Sequence, residues 1–223
     1  RPGPDGRRVD AAEVQRYFVQ HGRYTAGTAT RYAPALLTAT AEHQDLARGF
    51  VIGTRFHSAP VICLGDAKPI QLGHTTGADG RWRLFAFADR SDPMTPASPI
   101  SDLCHFLADA ETSPVRRYTL EDADIDAVFD VRAVFQQPHR ELAVERMPAF
   151  LLPRKGRPGL IDYEKMFCPD FKSGQDIFDL RGIDRDRGCL VVVRPDQYVA
   201  DVMPLDAVDR LAAYFERILL PVR

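Results

Sequence analysis

The chain carries no paired-cysteine motif. Its four cysteines, Cys63, Cys104, Cys168 and Cys189, stand far apart and form no C-x-x-C. That spacing leaves no cysteine zinc site and no dithiol redox centre to expect. Cysteine is also too sparse for a secreted disulfide scaffold, so reduced thiols and a cytoplasmic location are expected. Cys63, Cys104 and Cys189 each lie in an apolar run and read as small buried hydrophobes. No G-x-G-x-x-G occurs, so the turn that seats a dinucleotide pyrophosphate on a helix N-terminus is missing. No long basic run appears and the formal net charge is -2, which gives no support for binding nucleic acid or anionic lipid. No apolar run approaches membrane-spanning length. The opening RPGPDGRRVD is basic, but no apolar stretch follows it, so no secretory signal is expected. The six histidines, His21, His43, His57, His74, His105 and His139, show neither H-E-x-x-H nor H-x-H spacing, and no metal site is expected. Arg1 stands first instead of Met, as expected for a piece cut from a longer polypeptide.

What is present is ordinary globular material. At 223 residues and 45% apolar, the chain suffices for one large or two small domains with a real core. Apolar residues at helical spacing predict a helix over 9–20, capped by Asp10 and ended near Gly22. The Thr/Gly-rich stretch after it reads as irregular, with a short helix near 41–47 stopped by Gly49. A hairpin is expected next, 60–64 and 68–74, turned by Gly65–Asp66. WRLFAFA, 82–88, alternates and is aromatic, as a strand should be. Ile100, Leu103, Cys104 and Leu107 share one face of a helix over 100–110. Further strands are predicted over 126–136, over the nearly all-apolar 188–194, and over 197–203 after a Pro195–Asp196 turn. A helix over 141–150, broken by Pro148, and a last helix from Asp206 to about 219 complete the pattern.

Strand, helix, strand, then strand–turn–strand, helix is the layout of a thioredoxin-like mixed α/β sheet with flanking helices, here with an extra N-terminal hairpin. A redox pair would sit where the 82–88 strand passes into its helix. That junction reads ADRSDPMTPASPIS, without cysteine. Thiol exchange needs an exposed low-pKa thiolate and a resolving thiol, so a thioredoxin-like shape without that activity is expected.

The segment 153–187 reads as one long polar loop, and loops of that length are usually functional. Arg154, Lys155 and Arg157, interleaved with Gly156 and Gly159, suggest a phosphate cradle or a docking surface. Docking is favoured, because the P-loop order is absent and no predicted helix starts directly after it. RGIDRDRG reads as a solvated loop, with pairing to LIDYEKMF as the second option. Tyr163, Met166, Phe167 and Phe171 are large apolar groups among charges; Phe167 is read as a core plug and Tyr163 as an interface anchor.

Three stretches, RYTAGTATRYAPALL, FHSAPVICLGDAKPIQLGH, and RKGRPGLIDYEKMFCPD continuing to GCLVVVRPDQYVADVMPLD, carry a family resemblance. Across nearly its whole length the chain resembles the C-terminal part of the flavin-dependent aromatic hydroxylases of the phenol 2-monooxygenase and 3-hydroxybenzoate 4-monooxygenase type. The resemblance implies a thioredoxin-like dimerisation domain over 50–223, preceded by the tail of an upstream flavin/substrate region over 1–49. It implies a homodimer, contact with that upstream domain, and a parent enzyme that uses FAD, NADPH and dioxygen to hydroxylate a phenolic ring. No cofactor is expected in this segment. Gly65–Asp66–Ala67 looks like the family's flavin-proximal Gly-Asp-Ala, but a strand follows it instead of a Gly-rich helix start, so the flavin role is not carried over. No catalytic residue of the family matches a position here. Two alternatives remain open: a free-standing thioredoxin-like protein with thiol or peroxide activity, and a module binding a small aromatic or anionic ligand.

Overall fold

A computed structural model describes residues 10–222. Helix α1, Ala11–Thr25, is capped by Asp10, whose carboxylate accepts from the Ala12 amide. The helix runs through Gly22 to Thr25, since one exposed glycine costs only about 1 kcal/mol; Val9, the predicted start, lies outside the described residues. No α1 residue is buried. The short helix expected near 41–47 is a single 3-10 turn, Gln44–Leu46.

Strand β1, Pro60–Cys63, turns back into β2, Pro69–Gln71. The second arm is shorter than predicted because Leu72–Thr75 coils into a 3-10 turn. Strand β3, Trp82–Phe87, is followed by α2, Pro99–Asp109, with Ser98 as its cap and Ile100, Leu103, Cys104 and Leu107 buried as the spacing predicts. Helix α3, Pro114–Tyr118, precedes β4, Phe129–Val134. The helix expected over 141–150 is replaced by 3-10 turns at Val144–Arg146 and Ala149–Leu151, because Pro148 interrupts any longer run.

The 153–187 stretch differs most from expectation. It is not one loop. It holds a small hairpin, β5 (Arg154–Lys155) with β6 (Leu160–Ile161), then β7, Met166–Pro169, and the one-turn helix α4, Ile177–Leu180. Strand β7 is fully buried and lies between β1 and β4 in the main sheet. Its four residues, flanked by charge and ending in proline, are too few to show a period.

Strands β8, Cys189–Val193, and β9, Val199–Met203, form the closing hairpin, and α5, Val208–Glu216, follows. Its cap position is Ala207 and not Asp206. Leu211, Tyr214 and Phe215 face inward as predicted.

The sheet runs β2-β1-β7-β4-β3-β8-β9. Strands β3 and β4 are parallel, while β8 and β9 are antiparallel to their neighbours. The β4-β3-β8-β9 part, with α2 crossing from β3 to β4 and α5 closing, has the thioredoxin-like order. The β1–β2 hairpin extends the sheet through β7. Alternation splits the side chains. Trp82, Leu84, Ala86, Phe129 and Val131 pack with α2 and α5, while Phe85, Phe87, Val134 and Val191 pack with Leu46, Phe50 and Phe178. Leu46 and Ala47 are fully buried in that second layer. The segment before β1 also covers the β9 edge. The Ala39 amide donates to Ala200 and the Gly53 amide to Val199, at 2.8 Å each. Gly53 is in the left-handed region, φ +85, and a Cβ there would meet the Tyr32 carbonyl oxygen at 2.2 Å. Only glycine lets those two backbones pass.

Candidate assembly surface

The junction between β3 and α2, where a dithiol centre would lie, has none. Gln136 and Gln137 instead donate to the Ala88 and Ser91 carbonyls and pin the junction from β4. All four cysteines are buried and unpaired. Burial alone pushes the Cys104 thiol up to about 12, and burial, with a small contribution from Cys63, pushes Cys168 up to about 12. Burial raises Cys63 and Cys189 as well. A thiol held that high is neither nucleophile nor metal ligand near neutral pH. None of the four is therefore expected to react with Ellman's reagent at about pH 8 while the chain is folded, and all should react after denaturation. Rapid labelling of Cys104 or Cys168 in the native protein would revive the thiol-active alternative.

The Gly65–Asp66–Ala67 turn is a hairpin turn. Asp66 accepts from the Lys68 amide at 3.0 Å, and Ala67 has φ 56. A Cβ on Gly65 would stand 2.7 Å from the Tyr163 carbonyl oxygen. The space over this glycine is filled by the chain's own backbone, so these residues do not fit a flavin.

The largest concentration of charge lies where β3 and β4 begin. Alternation that buries Phe85 and Val134 also turns Arg83, Asp130 and Arg132 inward on the same face. Asp130 is fully buried and accepts from Lys165 at 2.6 Å and from Arg132 Nε at 2.9 Å. Arg83 Nε lies 3.1 Å from the same carboxylate but without hydrogen-bond alignment, so that contact is coulombic. Asp126 takes Lys165 at 2.6 Å, Lys155 at 2.8 Å and Arg81 at 3.0 Å. Burial drives the Asp126 carboxyl up, yet the Lys155 and Lys165 hydrogen bonds outweigh it and hold it down at about 2. Asp162 is lowered too: burial opposes, while the Glu164 amide and the two lysines prevail. The sequence signal for this cluster was opposite charge at period two in neighbouring strands, RWRLF beside FDVRAV.

That cluster fixes the β5–β6 hairpin. Lys155 reaches Asp126 from the hairpin, and the Gly156 amide donates to Asp124 at 2.7 Å. Of the sequence-derived candidates, Lys155 is thus engaged within the chain. Arg154 donates to the Gly159 carbonyl inside the hairpin, and Arg157 is exposed. Tyr163, just past the hairpin, is 48% exposed, and Leu160 on β6, at 70%, stands out further. Phe167 and Met166 are buried in β7, while Phe171 is 51% exposed. Sequence reasoning missed Leu160 and Ile161, whose exposure follows from a two-residue strand with no sheet behind it. Among the described residues, no group of three or more His, Cys, Asp or Glu could hold a metal ion, and no helix is long and apolar enough to cross a membrane.

Residues 30–223 match the sequence model of a family described as phenol hydroxylase, C-terminal dimerisation domain. The chain is 60% identical over 209 residues to 3-hydroxybenzoate 4-monooxygenase of Comamonas testosteroni, covering 93% of this chain and 33% of that protein. It is 28% identical over 216 residues to the FAD-dependent monooxygenase terD of Aspergillus terreus, covering 95% and 34%. With phenol 2-monooxygenase fsqG of Aspergillus fumigatus it shares 22% over 218 residues, covering 94% and 35%. The chain thus spans about a third of the length of these curated relatives. Among solved structures, the thioredoxin domain of a thiol-disulfide oxidoreductase from Bacteroides vulgatus is similar at 11% identity and TM-score 0.44, covering 74% of this chain and 97% of that one. The match over 30–223 and the 60% identity place the chain in one family: it belongs to the phenol hydroxylase C-terminal dimerisation domains.

Proposed function

We propose that this domain joins two copies of a flavin-dependent aromatic hydroxylase and takes no part in the oxidation. The observation that carries the proposal is the coverage: 60% identity to a 3-hydroxybenzoate 4-monooxygenase falls within 33% of that protein's length. The remaining length is the place for the oxidation machinery. The parent enzyme binds FAD, draws reducing equivalents from NADPH and hydroxylates a phenolic ring in the cytoplasm. Residues 1–49 are the tail of its flavin/substrate region, and 50–223 are the domain proper. The face of α1 that exposes Tyr17 and Phe18, opposite Arg16 and Arg23, supports contact with that upstream region, and the burial of Leu46 and Ala47 supports packing of the tail on this domain as well.

The self-association surface is the β5–β6 hairpin and its surroundings, with Leu160, Ile161 and Tyr163 as apolar anchors and Arg154 and Arg157 as rim charges. Aromatic groups ringed by polar ones are the usual composition of such a contact. Lys155 acts from behind, holding the hairpin through Asp126.

The non-catalytic role is tested by flavin reconstitution. The purified chain, incubated with FAD and desalted, is expected to stay colourless and to leave NADPH unoxidised with 3-hydroxybenzoate or phenol present. Retained flavin absorbance, or phenol-dependent NADPH consumption, would overturn it.

A further inference from the structure

One face of α1, from Ala12 to Arg23, and the irregular segment after it enclose an open groove lined by Arg16, Arg23 and Arg31, with Val19 and Thr54 between them. Among the described residues, no carboxylate lines it. Arg16 and Arg23 stand two helical turns apart, about 10 Å along the axis, so they present two separate guanidinium groups. Arg55 and Arg181 share the surroundings of His57 with Arg23, and among the described residues they bind neutral groups only: Arg55 donates to the Gln197 amide oxygen, and Arg181 to the Ser58 carbonyl, while its buried Nε has no partner there. The local field is positive enough to register on His57. Burial first, then Arg181, Arg23 and Arg55, depress its pKa.

The complementary surface is on the same chain. The loop 120–125, LEDADI, exposes Glu121 and Asp122 between Leu120, 54% exposed, and Ile125, 37% exposed. Neither Glu121 nor Asp122 has an ion-pair partner among the described residues. The loop is continuous with the β5–β6 hairpin through the Gly156–Asp124 hydrogen bond. Groove and loop lie at one end of the sheet. Asp126 sits just before β4 and binds Arg81 before β3, while Thr54 meets the first residue of β9 through a 2.9 Å hydrogen bond.

We propose that the 120–125 loop of one copy seats in the α1 groove of a second copy, and reciprocally, closing a two-fold dimer through two identical acid–arginine contacts. Each chain offers both halves, so a two-fold axis satisfies both at once and leaves no open end for a filament. Leu120 and Ile125 cover the apolar floor at Val19, and the guanidinium forks take the carboxylates.

Resting on the assembly role proposed above, the contact is tested by exchanging charge across it. Arg16→Glu with Arg23→Glu reverses the groove; Glu121→Lys with Asp122→Lys reverses the loop. All four sites are exposed, and circular dichroism melting checks that both variants fold. Each variant alone sets like charges against each other twice, and its dimer is expected to weaken by at least about 100-fold in sedimentation equilibrium. Mixed together, each reversed groove meets a reversed loop, and the heterodimer is expected to recover most of the wild-type affinity. Folded variants that dimerise like wild type, or a weakened pair that fails to recover on mixing, overturn the contact while leaving the assembly role standing. A wild-type chain that stays monomeric overturns both.

Discussion

Lys165→Ala is expected to destabilise the folded chain by about 3–5 kcal/mol, read as a lower urea midpoint. The ammonium group sits 2.6 Å from both Asp126 and Asp130, and only 3% of the Lys165 side chain is exposed. Truncation leaves Asp130, wholly buried, with Arg132 and a misaligned Arg83, and Asp126 with Lys155 and Arg81. The penalty comes from stranding carboxylates out of water. The intact cluster is not thereby a large net stabiliser, since a buried pair roughly breaks even against apolar packing. A change below about 1 kcal/mol for Lys165→Ala would mean the cluster is wetter than its geometry indicates.

The same cluster sets the response to acid. Asp126 titrates lower in the folded chain, at about 2, than the ordinary aspartate near 3.9. A depressed folded value contributes stability that is complete above the unfolded pKa and lost as pH falls through the folded one. Stability is thus expected to decline from about pH 4 towards pH 2, with hairpin exchange protection lost early because Lys155 loses its anchor. Asp126→Asn should flatten that part of the profile.

Phe167→Ala and Tyr163→Ala should separate sharply, although the two residues are four apart in what reads as one loop. Phe167 is 1% exposed, pairs with Cys63 and Val134 across β7, and has Arg132 over its ring at 5.9 Å. Its truncation is expected to cost about 3–5 kcal/mol of folding stability. Tyr163 is 48% exposed, so Tyr163→Ala should leave the urea midpoint nearly unchanged and weaken self-association by about 10-fold or more. Equal stability losses in both variants would contradict the division of this stretch into a sheet strand and an exposed connection before it.

That division marks how far the sequence carries. Period-two alternation made β3 visible, and a solid apolar run made β8 visible. The spacing of Ile100, Leu103, Cys104 and Leu107 identified α2. The missing redox pair was legible at the β3–α2 junction, because its absence is a matter of residue identity alone. Strand β7 was not legible: four residues with Lys165 before them and Pro169 within them carry no period, and their pairing with β1 and β4 is long-range. Asp130 and Arg132 were readable as strand residues, but alternation cannot say that both point inward, since burial there depends on Lys165 arriving from thirty-odd residues away. Lys155 looked like a free surface charge for the same reason. Leu160 and Tyr163 stand out only once β6 is known to have no layer behind it.

Sedimentation equilibrium of the wild-type chain over a wide concentration range tests the central claim most directly. The assembly role expects a reversible species at twice the 25.0 kDa chain mass, weakened by added salt as the charged rim is screened. A single 25.0 kDa species at every concentration and salt level would contradict it.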